Sequence, residues 1–88
     1  MENTQLKHKM EIIKDTKNDL LKRREIQFIL EAESNPGFEK SKEAITTKLQ
    51  VSEKNIAIKF IKNNFGSREF LIEAFVYKTE EDKDRIEP

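Results

Sequence analysis

Apolar residues recur at every second position over four stretches of the chain and at helical spacing over one, and this change of period predicts the fold. In "HKMEIIK" Met10 and Ile12 share one face of a short first strand, with Ile13 on the other. Asp15 to Asp19 reads as a turn. In "REIQFILE" Ile26, Phe28 and Leu30 point one way while Glu25, Gln27 and Glu31 point mostly to water, giving a second strand antiparallel to the first. "SNPGF", Ser34 to Phe38, carries a proline and a glycine and ends that strand. Ile45 and Leu49, with Ala44 beside them, form a narrow apolar stripe on a helix over Glu39 to Gln50, which Ser41 would cap if the helix starts one residue later.

The period returns to two from Asn55, with Ile56, Ile58 and Phe60 on one side and Ala57, Lys59 and Ile61 on the other. "KNNFGSRE" then reads as a hairpin loop, because Asn63, Asn64 and Gly66 tolerate positive φ. A fourth strand, Glu69 to Tyr77, sets Phe70, Ile72, Ala74 and Val76 on one face. Its other face, Leu71, Phe75 and Tyr77 around Glu73, is too apolar for water and predicts a cover. "TEEDKDRIEP" offers one: Thr79 with Asp82 three residues on resembles a capping box before a short helix.

The order is β-β-α-β-β with a C-terminal helical turn. A crossover through the helix places strand four between strands two and three, so the expected fold is α+β with a four-stranded antiparallel sheet of order 1-2-4-3 and the helix packed on one face. Residues 1–9 are expected to form a flexible N-terminal segment and 10–88 a single domain. Eighty-eight residues bury only about 60 to 65% of the unfolded surface, so the fold is expected to be marginally stable.

The chain is 39% charged, yet 17 Lys and Arg balance 17 Asp and Glu, so any electrostatic function must come from local distribution. Lys54 to Arg68 contains Lys54, Lys59, Lys62 and Arg68 and no acid, while Thr79 to Pro88 sets five acids against Lys83 and Arg85. There is no cysteine, hence no disulfide or thiolate site. No apolar leader or membrane-length stretch occurs, and a soluble, cytoplasmic protein is expected. His8 stands without a second ligand or base. The glycines, Gly37 and Gly66, belong to no phosphate loop. No metal, cofactor or catalytic constellation is expected. "KNNFGSR" combines Lys62, Arg68, the amides of Asn63 and Asn64, and Phe65, a composition able to hold a sugar-phosphate backbone, although the asparagines also suit the turn and Phe65 also suits the core.

"NDLLKRREIQF", Asn18 to Phe28, is the most specific stretch. With "MEII" at Met10 to Ile13, "KL" at Lys48 and Leu49, "FG" at Phe65 and Gly66, "VY" at Val76 and Tyr77 and "EP" at Glu87 and Pro88, it resembles the archaeal and eukaryotic family of small-subunit ribosomal protein number twenty-four over Met10 to Pro88. The resemblance implies a non-enzymatic α+β component of the small ribosomal subunit that contacts ribosomal RNA and neighbouring ribosomal proteins, monomeric outside the ribosome. It assigns RNA-facing roles to Arg23 and Arg24 with Lys22 beside them, and makes Leu20 and Leu21 the apolar anchor that presents them rigidly. Lys40, Lys42, Lys62 and Arg68 are further expected RNA contacts. Asn18, Asn63, Asn64, Phe65 and Gly66 are expected to position the two loops.

Two departures stand out. Asp19 replaces the family's usual proline, and Glu39 and Lys40 stand where the family reads threonine and proline before the conserved-type Ser41 and cationic Lys42. Neutral net charge and the lack of a lysine-rich C-terminal extension favour an archaeal-type member. A non-ribosomal interaction module, using a sheet edge or the Leu71, Phe75 and Tyr77 face to bind another protein, is the alternative reading.

Overall fold

The computed structural model describes residues 10–63 and 68–87. Strands β1 (Met10–Asn18) and β2 (Arg23–Glu31) form a hairpin; α1 (Gly37–Leu49) crosses over; and a single 3-10 turn (Glu53–Asn55) leads into β3 (Ile56–Asn63), β4 (Glu69–Tyr77) and α2 (Glu80–Ile86). The sheet has the order β1-β2-β4-β3, and each neighbouring pair is antiparallel. The expected α+β architecture and strand order are therefore observed.

The two strands with the most regular apolar alternation, β2 and β4, lie at the centre. Ile26, Phe28 and Leu30 face Ala74, Ile72 and Phe70 across the pair, and Ile45 of α1 and Ile56 of β3 close the core over them. Ile26, Phe28, Ile45, Ile56, Ile72 and Ala74 have no exposed surface. One face of the sheet thus carries α1, and the other, more open face carries Arg23, Glu25, Phe75 and Tyr77.

The edge strands depart from strict alternation. β1 runs to Asn18, through the segment Asp15 to Asp19 expected as a turn, because Lys14 to Asn18 pair with Gln27 to Arg23. A half-solvated edge strand needs few apolar residues, which is why this half reads as a loop. Its register shifts between Ile12 and Lys14, leaving Ile13 as a bulge that is 50% exposed. β3 has a second bulge between Ile58 and Phe60. The shift corrects the face assignment for the end of that strand: Phe60 lies opposite Glu73 on the open face, and Ile61 opposite Ile72 packs against the core.

α1 begins at Gly37, two residues before the expected start. Asn35 Oδ1 accepts from the Gly37 N–H at 2.8 Å, and Gly37 takes φ +76°, which a residue without Cβ adopts at little cost. Ser41 is consequently not a cap; it is fully buried within the first turns, its Oγ donating to the Gly37 carbonyl at 2.7 Å. α2 starts as expected, with Thr79 Oγ1 accepting from the Asp82 N–H at 3.0 Å and Glu80, Glu81 and Asp82 in its first turn.

Candidate nucleic-acid interface

The β1–β2 turn is tied at three points. Asn18 Oδ1 accepts from the Leu21 N–H at 3.0 Å, the Lys22 N–H donates to the Asp19 carbonyl at 3.3 Å, and the Lys78 N–H, just past β4, donates to the Lys22 carbonyl at 3.0 Å. Lys22 closes the turn at φ 55°, a left-handed conformation normally given to glycine or asparagine. Leu20 corrects the expectation of a paired leucine anchor. It is 89% exposed, whereas Leu21 is half-buried, so hydrogen bonds hold the turn where two leucines were expected to.

Arg23 points to the open face and is enclosed there. Its Nε and Nη2 each lie 2.8 Å from Glu25 Oε2, its Nη1 donates to the Tyr77 hydroxyl at 2.7 Å, and its guanidinium carbon sits 3.9 Å above the centre of the Phe75 ring. The Tyr77 hydroxyl in turn donates to Glu87 Oε2 at 2.8 Å, and Lys59 Nζ reaches Glu87 Oε1 at 2.7 Å. Asn18 Nδ2 completes the chain by donating to Glu25 Oε2 at 3.1 Å. One network therefore joins all four strands and the segment after α2. It provides the cover expected over Phe75 and Tyr77, leaving Tyr77 only 2% exposed. Arg23 is thus engaged within the protein through Nε, Nη1 and Nη2.

The charge of the network sets its response to acid. Hydrogen bonding from Arg23 and then Asn18 holds the Glu25 carboxyl below its ordinary value of 4.5, and the hydrogen bond from Lys59 does the same for Glu87. Burial, followed by the bond to Glu87, pushes the Tyr77 phenol above its ordinary 10.0, so it remains a donor at neutral pH. A carboxylate with a depressed folded pKa contributes stability that is complete above its unfolded value and is lost as the pH falls through the folded one. Urea midpoints should be level from pH 7 to about 5 and fall steadily below about 4.5. The Glu25→Gln, Glu87→Gln variant should show a flatter acid limb, and equal slopes for both proteins would remove these two groups from the account.

Arg24 points to the α1 face, where Asp15 of β1 receives its Nε and Nη2, in a pair about two-fifths exposed. Lys22 is exposed at the turn. The other expected cations lie elsewhere: Lys40 and Lys42 on α1, Lys62 on the open face opposite Leu71, and Arg68 just before β4. Because Arg23 pairs with Tyr77 and Glu31 with Glu69, the Lys22–Arg24 turn and the Lys62–Arg68 hairpin occupy opposite ends of the sheet, roughly 26 Å apart. Asn63 Nδ2 reaches the Glu69 carbonyl across that hairpin at 3.4 Å. Asn64, Phe65 and Gly66, like residues 1–9, lie outside the described residues.

A groove of 270 Å³ opens at the turn end of the sheet, on the α1 face, between the turn and the connection that follows α1. Val51 and Val76 form its apolar floor, and Lys17, Lys22 and Lys78 stand around it. The sequence reading missed Lys17 and Lys78. Lys17 fell in a segment taken for a turn, but Lys78 was within reach: the 1-2-4-3 order alone brings the residue after strand four beside the start of strand two.

The family model described as Ribosomal protein S24e matches residues 8–88 of the chain. No curated protein matches it.

Proposed function

Since the chain belongs to the S24e ribosomal protein family, we propose that it is a structural constituent of the cytoplasmic small ribosomal subunit that binds ribosomal RNA. The match across residues 8–88 carries this reading. A ribosomal role needs fixed cations at several points of a rigid surface, since phosphate contacts position a protein on RNA while requiring no chemistry from it. Lys22 and Arg24 at one end of the sheet, Lys62 and Arg68 at the other, and Lys40 and Lys42 on α1 are the cations proposed to meet RNA. Their separation means that they touch different RNA segments. Arg23 contributes by holding Phe75, Tyr77 and Glu25 together beneath the turn. Neighbouring ribosomal proteins complete its surroundings in the particle, and the free chain is monomeric.

Net charge is zero, so few phosphates are neutralised by any one surface and affinity depends on simultaneous contacts. Sedimentation of the tagged protein from cell lysate through sucrose gradients tests the reading. The protein is expected to travel with small subunits and whole ribosomes at low salt and to be released as salt rises. A protein that stays at the top of the gradient at every salt concentration has no ribosomal role.

A further inference from the structure

We infer that the groove at the turn end of the sheet seats a single-stranded ribose-phosphate segment of RNA, with Lys17, Lys22 and Lys78 as its phosphate contacts. This inference rests on the RNA-binding reading above and adds its site and strandedness.

Two observations point to an anion, and a third to the form of the RNA that carries it. First, Arg23 and Arg24 are paired with Glu25 and Asp15, whereas Lys17, Lys22 and Lys78 have no acid partner among the described residues. Asp19 is the one acid in the groove wall. Three unpaired ammonium groups around one small groove repel each other, and a bound phosphate relieves that repulsion.

Second, the main chain that carries them is fixed. Lys22 and Lys78 are joined by the hydrogen bond from the Lys78 N–H to the Lys22 carbonyl, and Lys17 lies beside them in β1, paired with Arg24. Little backbone freedom is left to lose on binding. Lys22 also holds a left-handed conformation that glycine would adopt with less strain. A strained cation on the rim of a groove is the kind of outlier from which a binding role is inferred.

Third, size and floor select the form of the RNA. At 270 Å³ the groove falls just below the roughly 300–1,000 Å³ of small-molecule pockets, so it admits a nucleotide unit and not the breadth of a helix. Its floor, Val51 and Val76, offers apolar surface to a ribose or base, a contact that an unpaired strand can make and a duplex, recognised by shape and phosphates, does not.

The test is fluorescence-anisotropy binding of the full chain to a labelled uridine oligomer and to a duplex RNA of equal length, over a range of salt concentrations. It compares wild type with the Lys17→Ala, Lys22→Ala, Lys78→Ala variant, with Lys22→Gly, and with Lys40→Ala, Lys42→Ala. Wild type is expected to prefer the single strand. The triple variant should flatten the slope of log K against log salt by about 2, as loss of three single-strand phosphate contacts requires. Lys22→Gly should bind more weakly while raising Tm, a combination that a purely structural lysine does not produce.

A triple variant with wild-type affinity and slope, equal or tighter binding of duplex, or no wild-type binding to the single strand at low salt would overturn the proposal. So would a Lys22→Gly protein that binds normally. The sedimentation experiment separates the two levels: a wild type that co-sediments with small subunits while the triple variant binds the oligomer normally refutes the groove alone, and a wild type absent from subunits refutes the ribosomal reading itself.

Discussion

Phe28→Ala is expected to destabilise the protein by about 3–5 kcal/mol, the range for emptying a fully buried aromatic site. Phe28 sits in the central strand β2, opposite Ile72 of β4 and Ile12 of β1, and exposes none of its surface. The sheet cannot collapse into the space, because β2 is hydrogen-bonded on both sides. For 88 residues, typical stabilities of about 0.05–0.15 kcal/mol per residue give roughly 4–13 kcal/mol in all, so this one change consumes much of the reserve. Urea denaturation monitored by far-ultraviolet circular dichroism measures it. A loss below about 1.5 kcal/mol would place the core elsewhere than between these strands.

The second large effect is at Arg23. Its replacement by alanine removes charge-assisted bonds to Glu25, a bond to the Tyr77 hydroxyl and the stacking on Phe75. Buried pairs broken in this way lose about 3–5 kcal/mol. Here the Glu25 side chain is 28% exposed and regains some water, so about 2–3 kcal/mol is expected. Arg23→Lys should recover less than half of that, since an ammonium group neither lies flat on the ring nor reaches Glu25 and Tyr77 together. A double-mutant cycle with Tyr77→Phe should give a coupling of about 1 kcal/mol or more. Additive effects would mean that the contact is energetically idle and that Arg23 is as available to RNA as its neighbours.

These two residues mark how far the sequence could be read. Phe28 was legible because every second residue of β2 and β4 over the core is apolar, Ile26, Phe28 and Leu30 in one and Phe70, Ile72, Ala74 and Val76 in the other, and a period of two assigns them to one face. The same rule failed at the ends of β1 and β3, where a bulge adds one residue and reverses everything beyond it. The signal was present: "II" at Ile12 and Ile13 and "FI" at Phe60 and Ile61 are adjacent apolar pairs in otherwise alternating strands, and each adjoins a register shift. The role of Arg23 was not legible. Three adjacent cations look alike in a sequence, and only the pairing of β2 with β4 shows that Arg23 faces Tyr77 while Arg24 faces Val76. Leu20 and Leu21 present the same ambiguity at the turn, where one is half-buried and the other exposed.

The two bulges also bear on what the chain does before it has a place to dock. A sheet of this order ends in β1 on one side and β3 on the other, and among the described residues neither has a strand on its outer edge, where main-chain groups could recruit another copy. With no net charge, the copies are not held apart by mutual repulsion. A kink in each outer strand, at Ile13 and next to Lys59, breaks the straight run of hydrogen-bonding groups that a second sheet would need. The irregularities that hid the faces of these strands from a periodic reading thus serve as guards against stacking into fibrils, letting a neutral protein remain dispersed until it is incorporated.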